Sequence, residues 1–189
     1  MNLKIVIGCM LVVLAASQTI ADTDVCPSRN KCLIRDCGDI LENDPSAVSG
    51  DYLIQPHDRR PEFMVYCEMR EDGRWTVIQR REDGSENFYR TWTEYKEGFG
   101  NVHSEFWLGN EHIHRITADG NFELLIELTD HLNVMKIARY SHFRVGSERS
   151  GYTMINSGYT GTAVDEMAYH SGQQFTTSNN DNDVDDTYS

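Results

Sequence analysis

The sequence lacks the short motifs that mark common enzyme classes and common stalks. Its 189 residues contain no Gly-x-Ser-x-Gly nucleophile element and no glycine-rich phosphate loop. They contain no collagen-like glycine repeat and no heptad run, so neither kind of multimerising stalk is predicted. No Asn-x-Ser/Thr sequon is present, and N-glycosylation is therefore not expected. These absences favour a binding protein that is not an enzyme, and no catalytic residue is assigned.

Positive charge is also scarce. The chain has 17 Lys and Arg residues against 30 Asp and Glu residues, which gives a formal net charge of −13. Because an acidic chain repels phosphate backbones and anionic lipids, nucleic acids and membrane surfaces are poor candidates for partners. The same acidity suits a solvated extracellular surface that takes up calcium.

The N-terminal apolar run, Ile5 to Ala16, is shorter than the ~20 apolar residues that a membrane span needs. Lys4 precedes it as the only charge of the segment, and small residues follow, with plausible cleavage points after Ser17 or Ala21. A basic start, an apolar centre and a small-residue exit are typical of a secretory signal peptide. We therefore predict a signal peptide over residues 1–21, a secreted extracellular protein and no membrane insertion.

Four of the five cysteines lie outside the predicted signal peptide, which contains Cys9. They are Cys26, Cys32, Cys37 and Cys67. An even number of cysteines in a secreted chain indicates disulfides, and four cysteines allow three connectivities. Zinc binding is the alternative, but no Cys-x2-Cys pair with a matching downstream pair is present.

The pattern of short elements predicts an α+β fold, because helices and antiparallel strands are mixed without a βαβ rhythm. Residues 22–35 are interpreted as a short leader segment. Helices are predicted at 36–42, 93–99 and 110–116, and strands at 52–55, 63–68, 75–80, 122–128 and 135–143. From Gly146 onward Gly, Ser, Thr and Asn dominate, and no element is assigned. The three tryptophans, Trp75, Trp92 and Trp107, are predicted to be core or half-buried anchors. Glu123 and Glu127 are interpreted as solvated carboxylates on one outward strand face, not as a catalytic pair.

The acidic run from Asp181 to Asp186 is a candidate metal site. Asp181, Asp183 and Asp185 have the one-three-five spacing of an EF-hand, but the sixth position is Asp186 instead of Gly and the twelfth is missing. An EF-hand is therefore rejected. A solvated acidic tail is the simple alternative, since runs of charge are often only that.

Seven ordered stretches resemble the C-terminal domain of the fibrinogen family. They are Arg35–Leu41, Val65–Met69, Trp75–Arg81, Phe106–Asn110 with Ile113–Thr117, Phe143–Gly146, Tyr159–Ala163 and Phe175–Thr177. The resemblance covers Asp36 to about Asp186 and gives a domain over 36–189. It departs from the family where Arg74 follows Gly73 in place of a second glycine. The domain is also incomplete, because the family's second disulfide, its tryptophan-rich strand and its asparagine-glycine turn lie beyond the calcium loop.

The resemblance implies a fold of mixed short helices and antiparallel strands whose last subdomain is truncated. It implies a disulfide between Cys37 and Cys67. That pairing leaves Cys26 and Cys32 as possible linkers of a disulfide-linked oligomer.

The resemblance also implies a calcium site, incomplete here, in the acidic run. Its carboxylates would come from Asp181 and Asp183, and its backbone carbonyls from Asp185 and Thr187. Thr187 stands where the family commonly has glycine. Carboxylates two residues apart in a tight loop can converge on one calcium ion, which prefers oxygen ligands.

Three functions follow from the resemblance as expectations. The first is a lectin-like protein that binds acetylated sugars or microbial surface glycans in innate defence, with calcium ordering the loop beside the pocket. The second is a protein-ligand domain of growth-factor or clotting type, which binds another extracellular protein. The third is a truncated product that lacks the binding pocket. No ligand-contacting residue is assigned, since in the family the pocket is built largely from residues after the calcium loop.

Overall fold

The computed structural model describes residues 2–9 and 33–183, and within them short helices and antiparallel strands are mixed. The helices are α1 (Cys37–Asn43), α2 (Trp92–Glu97) and α3 (Asn110–Thr117), with single 3-10 turns at Glu148–Ser150 and Ala168–His170. The strands are β1 (Asn2–Cys9), β2 (Gly50–Ile54), β3 (Phe63–Arg70), β4 (Gly73–Arg81), β5 (Phe99–Gly100), β6 (Phe106–Trp107), β7 (Phe122–Thr129), β8 (Met135–Val145) and β9 (Met154–Gly161). None of the helices in this described part has the length and apolarity needed to cross a membrane.

The strands of the described residues form one antiparallel sheet. Its main order is β2-β3-β4-β1-β7-β8-β9, while β6 pairs with both β4 and β5. Fully buried side chains on the central strands, such as Val65, Val77 and Leu124, form the core against the helices. This arrangement confirms the predicted α+β class.

Helix starts are fixed by local hydrogen bonds that the sequence specifies. The carboxylate of Asp36 accepts the backbone N–H of Gly38 at 2.6 Å and of Asp39 at 3.3 Å, so α1 begins directly after Asp36. Thr91 and Glu94 form a reciprocal capping box at the start of α2. Caps of this kind each stabilise a helix by about 1 kcal/mol.

A disulfide joins α1 to β3. Cys37 and Cys67 are bonded, with their Cα atoms 5.6 Å apart and 30 residues apart in sequence, and both are buried. The pair is the one that the family resemblance implied. In the chain-entropy model a loop of this length stabilises the fold by about 3–4 kcal/mol. Cys26 and Cys32 lie outside the described residues, so their role as linkers stays a prediction.

The loop after β4 is organised by one buried carboxylate. Glu105 is 2% exposed, and its Oε1 accepts the backbone N–H of Glu82, Asp83 and Gly84 at 2.6, 3.0 and 2.9 Å. Its Oε2 accepts the N–H of Glu86 at 2.9 Å. These donors, with Glu86 the strongest, lower the pKa of Glu105 to about 2.

Strand β9 was missed at the sequence level. It lies in the stretch after Gly146 where no element was assigned, and it pairs with β8 from Val145↔Met154 to Ala138↔Gly161. Most of its side chains are exposed, and Asn156 is one of the few that are buried. Backbone pairing with β8 holds this edge strand in the sheet. Its sequence therefore does not need the alternation of apolar and polar side chains that would have predicted a strand.

Strand β1 lies in the middle of the sheet, between β4 and β7. Its residues, Asn2–Cys9, fall inside the predicted signal peptide, where no strand was predicted. The cleavage of residues 1–21 stays a prediction, and it would remove a central strand from the sheet shown here.

Candidate functional site

A cavity of about 600 Å³ lies between β1, β4, α3, the ends of β8 and β9, and the segment that follows β9. Its walls are mainly apolar and aromatic. Its lining includes Trp107, Asn110, Tyr152, Phe175 and Asp183. Ligand sites in proteins are commonly cavities of this size with apolar walls and a few polar groups.

The position of Asn110 is set by two glycines where α2 ends and α3 begins. Gly98 has a φ of +93°, and a Cβ atom there would lie 2.5 Å from the carbonyl oxygen of Leu108. Gly109 has a φ of +111°, and a Cβ atom there would lie 2.8 Å from the carbonyl group of Glu97. Only glycine permits this close approach of two backbones. The approach places Asn110, the first residue of α3, on the cavity wall.

Asn110 carries an unusual polar group for so deep a position. The residue is 3% exposed, and its Oδ1 accepts the indole N–H of Trp107 at 3.1 Å. Its Nδ2 is buried and has no hydrogen-bond partner in the described part of the chain. A buried donor left without an acceptor costs about 1–3 kcal/mol. A ligand acceptor that reached Nδ2 through a shift of the side chains covering it would recover this free energy.

An aromatic cluster forms one side of the cavity. The ring of Phe175 lies 6.2 Å from that of Trp107, 5.1 Å from that of Tyr95 and 6.1 Å from that of Trp92, measured between centroids. Trp92 in turn lies 5.6 Å from Tyr152. The cluster offers a rigid apolar surface on which a ligand group can pack.

Tyr152 contributes its ring to the cavity while its hydroxyl group is engaged elsewhere. The hydroxyl donates to Oε2 of Glu111 at 2.8 Å. Burial and this hydrogen bond to a carboxylate raise the pKa of Tyr152. The hydroxyl proton is therefore committed to Glu111.

The segment from Phe175 to Asp183, here called the acidic loop, borders the cavity and is tied to the rest of the domain. Phe175 donates its N–H to the carbonyl of Gly151 at 2.8 Å. The side chain of Asn179 accepts the N–H of Trp92 at 2.8 Å, at the start of α2. Asn182 donates its Nδ2 to the Phe175 carbonyl at 2.9 Å. These bonds connect the acidic loop to the aromatic cluster.

The acidic loop contains the two predicted calcium carboxylates. Asp181 and Asp183 are exposed and flank the half-buried Asn182. The N–H of Asp183 donates to Oδ1 of Asp181 at 3.2 Å, which closes a tight turn between them. A turn with two exposed carboxylates at i and i+2 fits the oxygen ligands that calcium prefers.

The other two predicted ligands, Asp185 and Thr187, lie outside the described residues. Among the residues that the structure describes, no group of three or more His, Cys, Asp or Glu side chains is placed to hold a metal ion. The calcium site therefore stays a prediction that depends on both halves of the loop.

Other residues singled out in the sequence have structural roles. Trp75 is buried in the core, and Trp92 and Trp107 are half-buried, as predicted. Glu123 and Glu127, however, are not solvated as predicted. Glu123 is 7% exposed and pairs with Arg139, and Glu127 pairs with Lys4 and Arg70. The prediction was wrong because both carboxylates meet cations from neighbouring strands.

The family model for the C-terminal globular domain of fibrinogen beta and gamma chains matches residues 33–189. The chain belongs to the fibrinogen C-terminal domain family. Fibrinogen-like protein A of Apostichopus parvimensis is 49% identical over 153 residues, which cover 79% of this chain and 54% of that protein. Human angiopoietin-related protein 2 is 44% identical over 151 residues, which cover 79% of this chain and 30% of that protein. The chain thus spans about half the length, or less, of these curated relatives.

Solved structures of the family share the fold. The fibrinogen-like globe domain of human ANGPTL2 has a TM-score of 0.77 and 43% identity, covering 80% of this chain and 70% of that one. Lamprey fibrin D-dimer, complexed with the peptide ligand Gly-His-Arg-Pro-amide, has a TM-score of 0.73 and 37% identity, covering 80% of this chain and 53% of that one. These matches confirm the resemblance drawn from the sequence.

The cavity residues were not identified from the sequence. Trp107 was predicted only as an anchor, and Asn110 only as the start of a helix. The lack of a partner for its Nδ2 depends on which side chains the fold brings around it. The one local signal was the pair Gly109-Asn110, where glycine directly precedes a helix.

Proposed function

We propose that this chain is a secreted, extracellular recognition domain that binds a segment of a protein ligand in the cavity beside the acidic loop. The observation that carries the proposal is the apolar cavity itself, whose lining includes Asn110, a residue with a buried Nδ2 that has no partner among the described residues. A peptide offers the two features that this site requires. Its apolar side chains can pack on Trp107 and Phe175, and its backbone carbonyls can accept from Nδ2.

The comparisons support a ligand-binding role of this kind. Lamprey fibrin D-dimer was solved with a peptide ligand. The curated relatives include fibrinogen-like and angiopoietin-related proteins. A protein-ligand domain of growth-factor or clotting type is therefore favoured over the lectin that the sequence first suggested.

Binding of an acetylated sugar is the second candidate, and Asn110 is the observation that favours it. An acetamido group carries a carbonyl oxygen that Nδ2 can donate to and a methyl group that the aromatic wall can cover. Glycans of microbial surfaces would then be ligands in innate defence.

Calcium is proposed as a structural ion of the acidic loop. Asp181 and Asp183 would provide carboxylate oxygens, and Asp185 and Thr187 would provide backbone carbonyls. Such an ion would hold the acidic loop against the aromatic cluster and so fix one wall of the cavity.

The test is calorimetric titration of the secreted protein with two probes, each with and without calcium. The probes are the peptide Gly-His-Arg-Pro-amide and N-acetylglucosamine. Heat with the peptide alone would support the protein-ligand role, and heat with the sugar alone would support the lectin role. If neither probe gives heat under either condition, the third expectation is favoured, a product without a binding pocket.

Two variants localise any binding to the cavity. Asn110→Asp keeps the oxygen that accepts from Trp107 but replaces the unpartnered donor with an acceptor, so we expect affinity to fall about tenfold or more. Met167→Trp fills the cavity from its rim. Tyr89→Ala is the control, because this side chain is 78% exposed and does not line the cavity. Unchanged binding in both cavity variants would place the ligand elsewhere.

A further inference from the structure

A second concave site, of about 300 Å³, lies at the end of α3. It is bounded by α1, the loop after β2, the start of β4 and the turn that leads into β7. Its lining residues all lie between Arg35 and Phe122, and it shares none of them with the cavity described above. This site is here called the charged cleft, and it is built without the acidic loop.

Two arginines of the charged cleft already have counter-ions within the domain. Arg35 donates to both carboxylate oxygens of Asp39, at 2.7 Å from Nε and 2.8 Å from Nη2. Arg115 is 8% exposed and donates to both carboxylate oxygens of Asp58, at 2.7 and 3.1 Å. Bidentate pairs of this kind hold both partners in a fixed geometry. They therefore fix the walls of the cleft.

The third arginine of the cleft, Arg74, has a side chain that forms no ion pair or hydrogen bond within the part of the chain that the structure describes. Its Nε is buried without a partner, while its two terminal nitrogens are open to solvent. A guanidinium group presents its donors in a fork that matches a carboxylate. The terminal nitrogens of Arg74 thus provide a place for a carboxylate group of a ligand.

Unpaired carboxylates line the same cleft. Glu42 and Asp119 are exposed, and neither has a cationic partner among the described residues. Burial, followed by the charge of Asp39, raises the pKa of the neighbouring Asp36, so this side of the cleft is poorly solvated. A simple anion at Arg74 would meet the repulsion of these carboxylates. The charges therefore favour a ligand that carries a cation as well as a carboxylate.

The charged cleft also has an apolar part. Ile116 and Phe122 line it and are 3% and 5% exposed, and the buried Pro56 lines it as well. A short methylene chain can pack on apolar surface while its charged end reaches a polar partner. The volume of the cleft suits a small ligand of this kind.

We propose that the charged cleft binds a short zwitterion, in which a carboxylate and an ammonium group are joined by an apolar chain. Arg74 binds the carboxylate, and Glu42 and Asp119 hold the ammonium group. Two ligands carry this chemistry, a free ω-amino acid and the C-terminal lysine of a polypeptide. The proposal does not rest on the ligand of the cavity, so the failure of one leaves the other standing.

The test is calorimetric titration of the secreted protein with 6-aminohexanoate. The matched control probes are hexanoate, which lacks the ammonium group, and hexylamine, which lacks the carboxylate. Because each control loses one charge-assisted contact, we expect both to bind at least about tenfold more weakly. Equal binding of either control, or no binding of 6-aminohexanoate, would overturn the proposal.

A peptide that ends in lysine distinguishes the two ligands. Ala-Ala-Lys with a free C-terminus should bind more tightly than 6-aminohexanoate if the end of a polypeptide is recognised, and no more tightly if a free amino acid is. The amide of the same peptide lacks the carboxylate and should bind at least about tenfold more weakly than the free acid. Equal binding of the acid and the amide would contradict the role of Arg74.

Protein variants locate the binding. Arg74→Gln should weaken binding of 6-aminohexanoate about tenfold or more, whereas Arg144→Gln, which removes an exposed arginine outside the cleft, should leave it unchanged. The double variant Glu42→Gln, Asp119→Asn alters exposed side chains only and should weaken binding to a similar extent. Urea titrations confirm that each variant is folded. Wild-type affinity in folded Arg74→Gln, or in the double variant, would place the zwitterion elsewhere and contradict the proposal.

Discussion

Replacing Phe175 by alanine should release the acidic loop from the aromatic cluster. The substitution removes the ring that lies 5.1–6.2 Å from the rings of Tyr95, Trp92 and Trp107. Loss of a fully buried Phe side chain costs about 3–5 kcal/mol. Since Phe175 is only half-buried, we expect a cost of about 2–3 kcal/mol.

The cost should appear as local opening of the acidic loop, because the sheet does not depend on this ring. The backbone amides of Thr177, Asn180 and Asn182 each donate a hydrogen bond to an acceptor within the acidic loop. A cost of 2–3 kcal/mol corresponds to exchange that is about 30- to 150-fold faster. Hydrogen-deuterium exchange followed by mass spectrometry measures it directly.

The matched control is Tyr169→Ala, which removes an exposed aromatic ring from the same cavity rim and should leave this exchange unchanged. Exchange of residues 177–182 at the wild-type rate in Phe175→Ala would show that this ring does not hold the acidic loop. Acceleration that spread equally over β7 and β8 would show instead that the ring supports the whole domain.

Three further predictions concern stability and calcium. Replacing both residues of the Cys37–Cys67 disulfide with serine should lower the free energy of unfolding by about 3–4 kcal/mol in urea titrations, and an unchanged urea midpoint would contradict the role of the bridge. Backbone donors, led by the N–H of Glu86, lower the pKa of Glu105 from a usual 4.5 to about 2. This carboxylate therefore stabilises the fold fully above pH 4.5, and its contribution is lost as the pH falls toward 2. Urea unfolding across this pH range should show a shallower pH dependence for Glu105→Gln, and an identical slope would exclude the effect. Replacing Asp181 and Asp183 with asparagine should weaken calcium binding at least about tenfold by calorimetry, and equal affinity would show that these carboxylates are not ligands.

The sequence predicts those parts of the fold whose pattern is local. Strands β3, β4 and β7 carry runs of apolar and β-branched residues, and the structure extends their predicted bounds by one or two residues at an end. The cap at Asp36 is also local, since its carboxylate bonds backbone groups two and three residues away. These features depend on neighbours in sequence and so appear in the sequence itself.

Features that depend on distant partners were missed or misinterpreted. Strand β9 is a polar edge strand that is held by backbone pairing with β8. Glu127 was interpreted as solvated because its partners, Lys4 and Arg70, lie more than fifty residues away. The same limit applies to Asn110, since the lack of a partner for its Nδ2 depends on every chain segment around the cavity.

Nuclear magnetic resonance during ligand titration tests the central proposal most directly, because the cavity contains its own reporters. The indole N–H of Trp107 donates to Asn110, and both residues line the cavity, whereas Trp75 is buried in the core. If the cavity is the ligand site, Gly-His-Arg-Pro-amide or N-acetylglucosamine should shift the Trp107 indole and Asn110 side-chain amide signals and leave the Trp75 indole unmoved. Binding of either probe that leaves the Trp107 and Asn110 signals unchanged would contradict the proposal.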